Sequence, residues 1–476
     1  MGVVDEQREA VKLLTQSGRP IDLLDAGAGT GKTTTLGVVA AVYRGEGFEV
    51  VGLAPSARAA RELNQAGVES CTIDSHLLGL RHENPSAQAE RSSRRVVIVD
   101  EAGMIGTRNL ARLLDEERAR GSKIILAGDP AQLPSVAAGG VFAALCREDS
   151  ERAQLRQVQR QRDPQEIAAL AALRNDARGR DGVELYLEHK ARRGEITITH
   201  DEHEAVKAAR EWWTGQLDDG RAPREVAVIT RTNQLRAALN QELRQQAADR
   251  GLLASQEYRV AHERGDGELR VRVGDRLVLR ENNREPRLLN GMLGTVEQIS
   301  GHGHGLALRL DGDSTRVVVP VWYLQAGYAD HAYAITGHAS QGTTLEAALV
   351  VARPEDHSRE WSYTTASRAR GQTRHLVTCA ETARDDPEHA AAVTAPATQS
   401  PNLREQGLGA MYRLEQALKR SDAQRLAEHQ PRGAELASRH AAVRDPRLDR
   451  STTPTYEIDP NRGTRGRGRG GPGLER

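Results

Sequence analysis

Residues 21–33 read IDLLDAGAGTGKT, and this stretch decides the fold. The apolar run from Ile21 to Leu24 predicts a buried strand, and Thr34 to Tyr43 predicts a helix, so a glycine-rich loop joins the two. Glycines let the backbone N–H groups of such a loop point at phosphate oxygens, and the helix N-terminus adds partial positive charge. The usual pattern opens on glycine, and Ala26 at that position is small enough to fit. The stretch therefore predicts a phosphate-binding P-loop.

Two residues of the P-loop have predicted chemical roles. The ammonium of Lys32 would reach the β- and γ-phosphates, and the hydroxyl of Thr33 would bind Mg²⁺. ATP and Mg²⁺ are therefore the predicted nucleotide and metal. The residues predicted to hold the nucleotide are Gly27, Gly29, Gly31, Lys32, Thr33 and Thr34.

Two carboxylates follow a second buried strand. The β-branched run from Val96 to Val99 ends directly before Asp100 and Glu101. Because the carboxyl ends of parallel strands share one edge of a sheet, both acids are predicted to lie beside the P-loop. Asp100 would hold Mg²⁺, and Glu101 would activate the attacking water as a general base.

Further polar groups follow later strand ends. Gln132, in the turn after the strand at 124–127, has an amide that can contact the γ-phosphate and the attacking water together. The segment at 155–161, LRQVQRQ, offers arginines, and Arg368 lies in a helix predicted over 361–370. An arginine that reaches the transferred phosphoryl group stabilises the transition state. His76 and its neighbours are predicted to form a loop at a strand end.

Composition limits the class of protein. The 476 residues carry 66 basic and 66 acidic side chains, and only 3% are aromatic, so nucleic acid would be bound by a local groove. The three cysteines lie far apart and make no metal spacing, which suits the cytoplasm. No apolar run is long enough to span a bilayer, and no signal peptide is evident. We therefore predict a cytoplasmic protein with no membrane segment.

The rest of the chain adds a β module and a polar tail. Short alternating runs between 257 and 325 predict a small antiparallel sheet of the kind that forms an SH3-like barrel. The histidines of GHGHG at 301–305 are predicted to lie in a polar turn, because no third metal ligand is near. Beyond residue 382 we expect a charged helix and then an Arg/Gly-rich segment that does not fold alone.

Together these segments resemble a superfamily 1 DNA helicase of the RecD-like group, and the helicase portion of conjugative relaxase–helicases of the TraA/TrwC/TraI type. The resemblance covers about residues 1–382. The stretches that carry it are AGAGTGKT (26–33), VDEAGM (99–104), GDPAQLPSV (128–136), the LxxVxRQ pattern (155–161), YAITGHASQGTT (333–344) and YTTASRARG (363–371).

The resemblance implies an α/β fold with two RecA-like P-loop NTPase domains, ATP in the cleft between them, and a largely disordered C-terminal tail. It implies that Gln7 reads adenine, that Arg160 and Arg368 reach across the cleft, and that Gln341 couples ATP to DNA. Pro55, Thr72, His76, Thr336 and His338 match segments that touch single-stranded DNA. The implied domains are RecA-like domain 1 (1–153), the first part of domain 2 (154–256), the SH3-like insertion (257–327), the second part of domain 2 (328–382) and the tail (383–476).

The implied function is an ATP-dependent helicase or translocase on single-stranded DNA, moving 5′→3′, with a role in conjugative transfer or in DNA repair. No His-rich metal cluster or tyrosine pair is evident, so nicking is not predicted, and a separate relaxase or conjugation machinery is a candidate partner. The alternative is a DNA-binding accessory protein that keeps the fold without productive unwinding. A GTPase would need an Asn-Lys-x-Asp guanine reader, which the sequence lacks, and a P-loop kinase would have no use for a second half.

Overall fold

Two parallel β-sheets and an antiparallel module make up the fold. The computed structural model describes residues 4–81, 94–135, 137–174, 182–263, 267–283, 288–300, 305–312, 314–379 and 403–422. The predicted α/β fold with two RecA-like halves is confirmed. The histidines at 302 and 304 and the Arg/Gly-rich tail lie outside the described residues. Among the residues described, no helix combines the length and the apolar character needed to cross a bilayer.

The first half is a six-stranded parallel sheet in the order β3-β2-β4-β5-β1-β6. Its strands are β1 (Ile21–Ala26), β2 (Glu49–Ala54), β3 (Ser70–Thr72), β4 (Arg95–Val99), β5 (Lys123–Gly128) and β6 (Ala153–Leu155). Its helices are α1 (Asp5–Gln16), α2 (Lys32–Gly45), α3 (Ala57–Gln65), α4 (Ile73–Arg81), α5 (Thr107–Ala119) and α6 (Val141–Glu148). The predicted domain boundary at 153 falls inside β6.

Both faces of this sheet are covered. Alternate side chains of a strand point to opposite faces, and those of β4 enter two separate cores. Val96 and Ile98 pack in one core with Leu36 of α2, whereas Val97 and Val99 pack in the other with Leu113 of α5. Burial on both faces explains the uninterrupted apolar strand that the sequence shows.

The chain continues into the second half and then leaves it for the β module. The second half begins with α7 (Pro164–Arg174), α8 (Gly182–Arg192), β7 (Ile196–Thr199), α9 (Glu202–Asp218), β8 (Val226–Thr230) and α10 (Asn233–Asp249). The module contains a two-stranded pair, β9 (Tyr258–Ala261) and β10 (Glu268–Val271), and a five-stranded antiparallel sheet in the order β14-β13-β12-β11-β15. The strands of that sheet are β11 (Arg276–Leu279), β12 (Leu293–Ile299), β13 (Gly305–Leu310), β14 (Arg316–Pro320) and β15 (Ala329–His331). A short helix, α11 (Val321–Gln325), connects β14 to β15. The module has its own apolar core, and its SH3-like class stays a prediction.

The chain then completes the second parallel sheet, in the order β16-β8-β17-β18-β7. The added elements are β16 (Ala334–Thr336), α12 (Gly337–Ser340), β17 (Leu345–Ala352), α13 (Arg359–Ala366), β18 (Ala369–Thr378) and α14 (Leu403–Lys419). The helix predicted over 361–370 is wrong at its C-terminal end. It stops at Ala366, because Ala369 pairs with Leu345 of β17 and extends the sheet.

Candidate nucleotide-binding site

The P-loop lies between β1 and α2, as its sequence predicts. Gly29 and Gly31 have φ values of +74° and +85°, in the left-handed region that favours glycine. A Cβ atom on Gly29 would lie 2.5 Å from Cβ of Arg160, and one on Gly31 would lie 2.3 Å from Nε2 of Gln7. Both glycines are therefore required by backbone conformation and by the close approach of two candidate site residues.

Lys32 is paired with both predicted acids. Its Nζ donates to Oε1 of Glu101 at 2.8 Å and also to Oδ1 of Asp100. Glu101 has a φ of 51°, a strained conformation for a non-glycine residue, and its N–H donates to Oδ1 of Asp100 at 2.7 Å. The strained turn after β4 thus aims both carboxylates at the lysine.

The charged groups of this cluster shift one another's pKa values. Burial alone would lower the pKa of Lys32, but the carboxylates of Asp100 and Glu101 outweigh it and raise the pKa. Burial opposes ionisation of Glu101, yet Lys32, Arg368 and Arg160 hold the pKa of its carboxyl below the usual range. Glu101 is therefore an ionised acceptor for a proton, as a general base requires.

Arg160 and Arg368 are two cations at this site, of which Arg368 is buried and Arg160 is half-buried. Nη1 of Arg160 donates to the carbonyl of Ser367 at 2.8 Å, and Nε of Arg368 donates to the carbonyl of Thr364 at 2.7 Å. Within the described parts of the chain neither forms an ion pair. Burial and the charge of Arg368 lower the pKa of Arg160, and burial lowers that of Arg368. An anion between them would relieve this repulsion.

The turn after β5 holds Gln132 close to Asp129. Nε2 of Gln132 donates to Oδ2 of Asp129 at 3.4 Å, a long hydrogen bond that leaves the amide able to turn. Asp129 is fixed more firmly, because Arg174 at the end of α7 pairs with its Oδ1 at 2.9 Å. Gln132 therefore lies on an anchored turn beside the P-loop half of the site.

The two remaining glutamines differ in how their amides are satisfied. Oε1 of Gln7 accepts from the N–H of Val4, and Nε2 donates to the carbonyl of Thr30, both at 3.1 Å. An adenine base bound by Gln7 would have to replace these two hydrogen-bond partners of its amide. Gln341 is buried, and neither polar atom of its amide has a hydrogen-bond partner among the residues that the structure describes. Such an orphaned amide is costly and indicates a site completed by something else.

The five residues predicted to contact DNA lie at different places. The segment around His76 is helix α4 rather than the predicted loop, because the hydroxyl of Thr72 accepts from the N–H of Ser75 and starts a helix. His76 turns inward, with Nε2 2.8 Å from Oε1 of the buried Glu117. Pro55 is half-buried after β2. Their DNA contacts stay predictions.

Thr336 and His338 lie together at the carboxyl end of β16. The hydroxyl of Thr336 accepts from the N–H of Ala339 and begins α12, and His338 is exposed on that helix. The surrounding protein partly desolvates the imidazole of His338, and this desolvation and the nearby charge of Arg231 lower its pKa. A neutral imidazole there can accept or donate one hydrogen bond.

The oxygen ligands that Thr33 and Asp100 offer suit Mg²⁺. The hydroxyl of Thr33 makes no hydrogen bond to any residue in the described ranges, and the carboxylate of Asp100 is buried at the end of β4. Hydroxyl and carboxylate oxygens are the hard ligands that Mg²⁺ prefers, and phosphates and waters usually complete its shell. Thr34 is exposed at the start of α2.

The sequence interpretation missed a buried network behind the P-loop. Asp25 at the end of β1 pairs with Arg174 at 2.7 Å and with Arg156 at 2.5 Å. These cations outweigh burial and lower the pKa of Asp25 to about 2. Tyr363, inside the quoted segment YTTASRARG, joins the same network through Asp129. No local sequence pattern predicts the role of Arg174, because its partners Asp25 and Asp129 are distant from it along the chain.

Comparisons with known proteins show which proteins this chain is similar to. A family model described as an AAA domain matches residues 2–201. The conjugal transfer protein TraA of Rhizobium radiobacter is 31% identical over 352 residues, 73% of this chain and 30% of its own length. The ATP-dependent RecD2 DNA helicase of Deinococcus radiodurans is 29% identical over 385 residues, 78% of this chain and 48% of its own length.

A crystal structure of Bacteroides Pif1 bound to ssDNA is similar in fold. It matches with a TM-score of 0.50 at 19% identity, over 82% of this chain and 96% of that chain. The chain described here thus spans less than half the length of the two curated relatives, and most of the length of the structural one.

Proposed function

We propose that this chain, whose sequence and fold are those of a RecD-like superfamily 1 helicase, hydrolyses ATP to drive movement along single-stranded DNA. One observation carries the proposal. Among the described residues, Arg160 and Arg368 form no ion pair, and they lie beside a P-loop lysine that is paired with two carboxylates. Separate groups of cations and anions, held close together in a buried site, suit a phosphate chain with a metal ion.

The first step is an exchange of partners at Lys32. The phosphates of ATP would accept from its ammonium and release Asp100 and Glu101. Thr33 and Asp100 would then hold Mg²⁺, which supplies positive charge at the β- and γ-phosphates. Glu101, once released, would take a proton from the attacking water.

The arginines and Gln132 would respond to the γ-phosphate. With ATP bound, Arg160 and Arg368 gain the anion that they lack, which favours closure of the site. Hydrolysis and loss of phosphate would remove that anion and restore the repulsion between the two cations. Gln132, on its anchored turn, would detect the difference between ATP and ADP.

Single-stranded DNA is the proposed polymer. The orphaned amide of Gln341 lies in the loop after α12, and a Cβ on the next residue, Gly342, would lie 3.1 Å from Oε1 of Glu62 in α3. This loop therefore contacts a helix of the first half, and Thr336 and His338 directly precede it. Its position supports a role in coupling nucleotide to DNA. Pro55, Thr72 and His76 are proposed contacts on the first half.

The finer parts of the proposal follow from the resemblance. They are movement in the 5′→3′ direction, location in the cytoplasm, and a role in conjugative transfer with a separate relaxase. A repair helicase is the second candidate, and it too follows from the resemblance to the RecD-like group. The domain division given above is part of the same proposal.

The test is the steady-state ATPase rate with and without single-stranded DNA, for the wild type and for Glu101→Gln. We expect strong stimulation by DNA in the wild type and a rate reduced by at least about 10² in the variant, because the general base is removed. A rate that ignores DNA would refute the motor. DNA binding without turnover would favour the accessory protein.

A further inference from the structure

The hydroxyl of Tyr363 connects α13 of the second half to two nucleotide-site elements of the first. It accepts a hydrogen bond from the N–H of Ala28 in the P-loop at 3.1 Å. It donates to Oδ2 of Asp129, in the turn that carries Gln132, at 3.0 Å. The side chain is buried, and burial together with the charge of Asp129 raises the pKa of the hydroxyl, so it stays protonated.

The neighbouring residue reinforces this contact. Oγ1 of Thr364 accepts from the N–H of Leu133 at 3.0 Å, one residue after Gln132. Tyr363 and Thr364 thus fix one turn of α13 against both the P-loop and the Gln132 turn. The aromatic ring of Tyr363 also packs in an apolar cluster with Ala28 and Leu170.

Arg368 takes its position from the same turn of helix. Its Nε donates to the carbonyl of Thr364 at 2.7 Å, and its Nη2 donates to Oγ of Ser367 at 3.0 Å. A shift of α13 relative to the P-loop would therefore carry the guanidinium of Arg368 with it. Small displacements of a charged group that acts on a transition state have large effects on rate.

The acceptor of Tyr363 is itself held rigidly. Asp129 is paired with Arg174, and Arg174 is paired with Asp25 at the end of β1. The hydroxyl is thus bonded to an anchored carboxylate and to the P-loop backbone at the same time. Both bonds would be lost together if the halves separated.

We propose that Tyr363 is a positioning residue that sets the distance of Arg368 from the P-loop, and that its two hydrogen bonds form in the closed state and break when the cleft opens. The inference rests on the proposed ATP hydrolysis and adds a contact that links cleft closure to the rate of the chemical step.

The test compares Tyr363→Phe, Arg368→Ala and the double variant with the wild type. Tyr363→Phe should lower kcat for ATP about tenfold, as expected for a misplaced charged group. Affinity for a fluorescent ADP should change less than about twofold, because Arg368 acts at the γ-phosphate and ADP has none. The double variant should be no slower than Arg368→Ala alone, because both changes remove one effect.

Tyr323→Phe is the matched control. Tyr323 is buried in the β module, and its hydroxyl likewise accepts a backbone N–H, from Glu281 at 3.0 Å, and donates to an oxygen, the Glu281 carbonyl, at 2.7 Å. It should lower thermal stability to a similar degree and leave kcat unchanged.

Three results would overturn the inference while the wild type is active. The first is an unchanged kcat in Tyr363→Phe, and the second is additive losses of kcat in the double variant. The third is a large loss of ADP affinity in Tyr363→Phe, which would show that the hydroxyl maintains the conformation of the P-loop instead. A wild type without ATPase activity would instead overturn the proposed function, and this inference with it.

Discussion

Nζ of Lys32 lies 2.8 Å from Oε1 of Glu101, so the predicted phosphate ligand is ion-paired with the predicted general base. While this pair lasts, Oε1 of the carboxylate faces an ammonium rather than a water. Phosphate oxygens that accept from Lys32 would free Glu101 for catalysis. The pair therefore links nucleotide binding to activation of the base.

Replacement of Lys32 by alanine should abolish ATP hydrolysis, with kcat at least about 10³ lower, because the main phosphate cation is lost. The steady-state ATPase rate measures this. Lys12→Ala is the control, since Lys12 is exposed on α1 and pairs with the exposed Glu9 at 3.2 Å. Near-normal turnover in the Lys32 variant would refute the site.

Replacement of Arg368 by alanine should lower kcat by about 10³, as for loss of an arginine that stabilises phosphoryl transfer, with a small change in ATP affinity. Equilibrium binding of an ATP analogue and single-turnover hydrolysis separate the two effects. Arg370 is only two residues away but exposed and paired with Glu346 at 3.2 Å, so Arg370→Ala should retain activity. Equal losses of affinity and rate would indicate a structural role for Arg368.

Replacement of Gln341 by methionine should stabilise the protein and impair coupling. The change removes a buried amide without hydrogen-bond partners and keeps a similar volume, so the free energy of unfolding should rise by about 1 kcal/mol. Stimulation of the ATPase by single-stranded DNA should fall severalfold. Denaturant unfolding and DNA-titrated ATPase rates measure these effects, and a destabilised variant with full stimulation would contradict both expectations.

Stability should fall as the pH drops below the ordinary histidine pKa, in part because of His357. This imidazole is buried, with Nδ1 2.9 Å from Oγ of Ser362 on α13, and burial lowers its pKa to about 3. The unfolded chain takes up a proton near pH 6.5 and the folded chain does not. Unfolding is therefore favoured progressively from about pH 6.5 down to about pH 3, by about 1.4 kcal/mol at pH 5.5 for this group.

Urea unfolding of His357→Asn at pH 7.5 and 5.5 tests this origin of the pH dependence. The variant should lose less stability than the wild type over that interval, whatever its stability at pH 7.5. His203→Asn is the control, because His203 is exposed on α9. Identical pH dependence in the wild type and His357→Asn would show that other groups cause the loss.

Local patterns predicted most of the parallel strands and the P-loop, because burial on both faces imposes apolar runs and a phosphate loop needs glycine. They were less successful in predicting secondary structure where a residue distant in sequence, or a side-chain cap, decides the conformation. The stretch 367–370 has a helical composition, yet its pairing with β17 makes Ala369 part of a strand. Thr72 and His76 were expected in a loop, and a side-chain cap made the segment helical.

The sequence by itself determined the chemistry of the site: a glycine loop with Lys32 and Thr33, acids after an apolar strand, and arginines at fixed positions further on. Their residue types and spacing suffice, because each belongs to a short strand-to-loop unit. Only the tertiary structure decided that, within the described ranges, Arg160 and Arg368 form no ion pair and the amide of Gln341 has no hydrogen-bond partner. It likewise decided that the hydroxyl of Tyr363 accepts from the N–H of Ala28, 335 residues away. Such pairings depend on how the two sheets pack, and no local pattern encodes that.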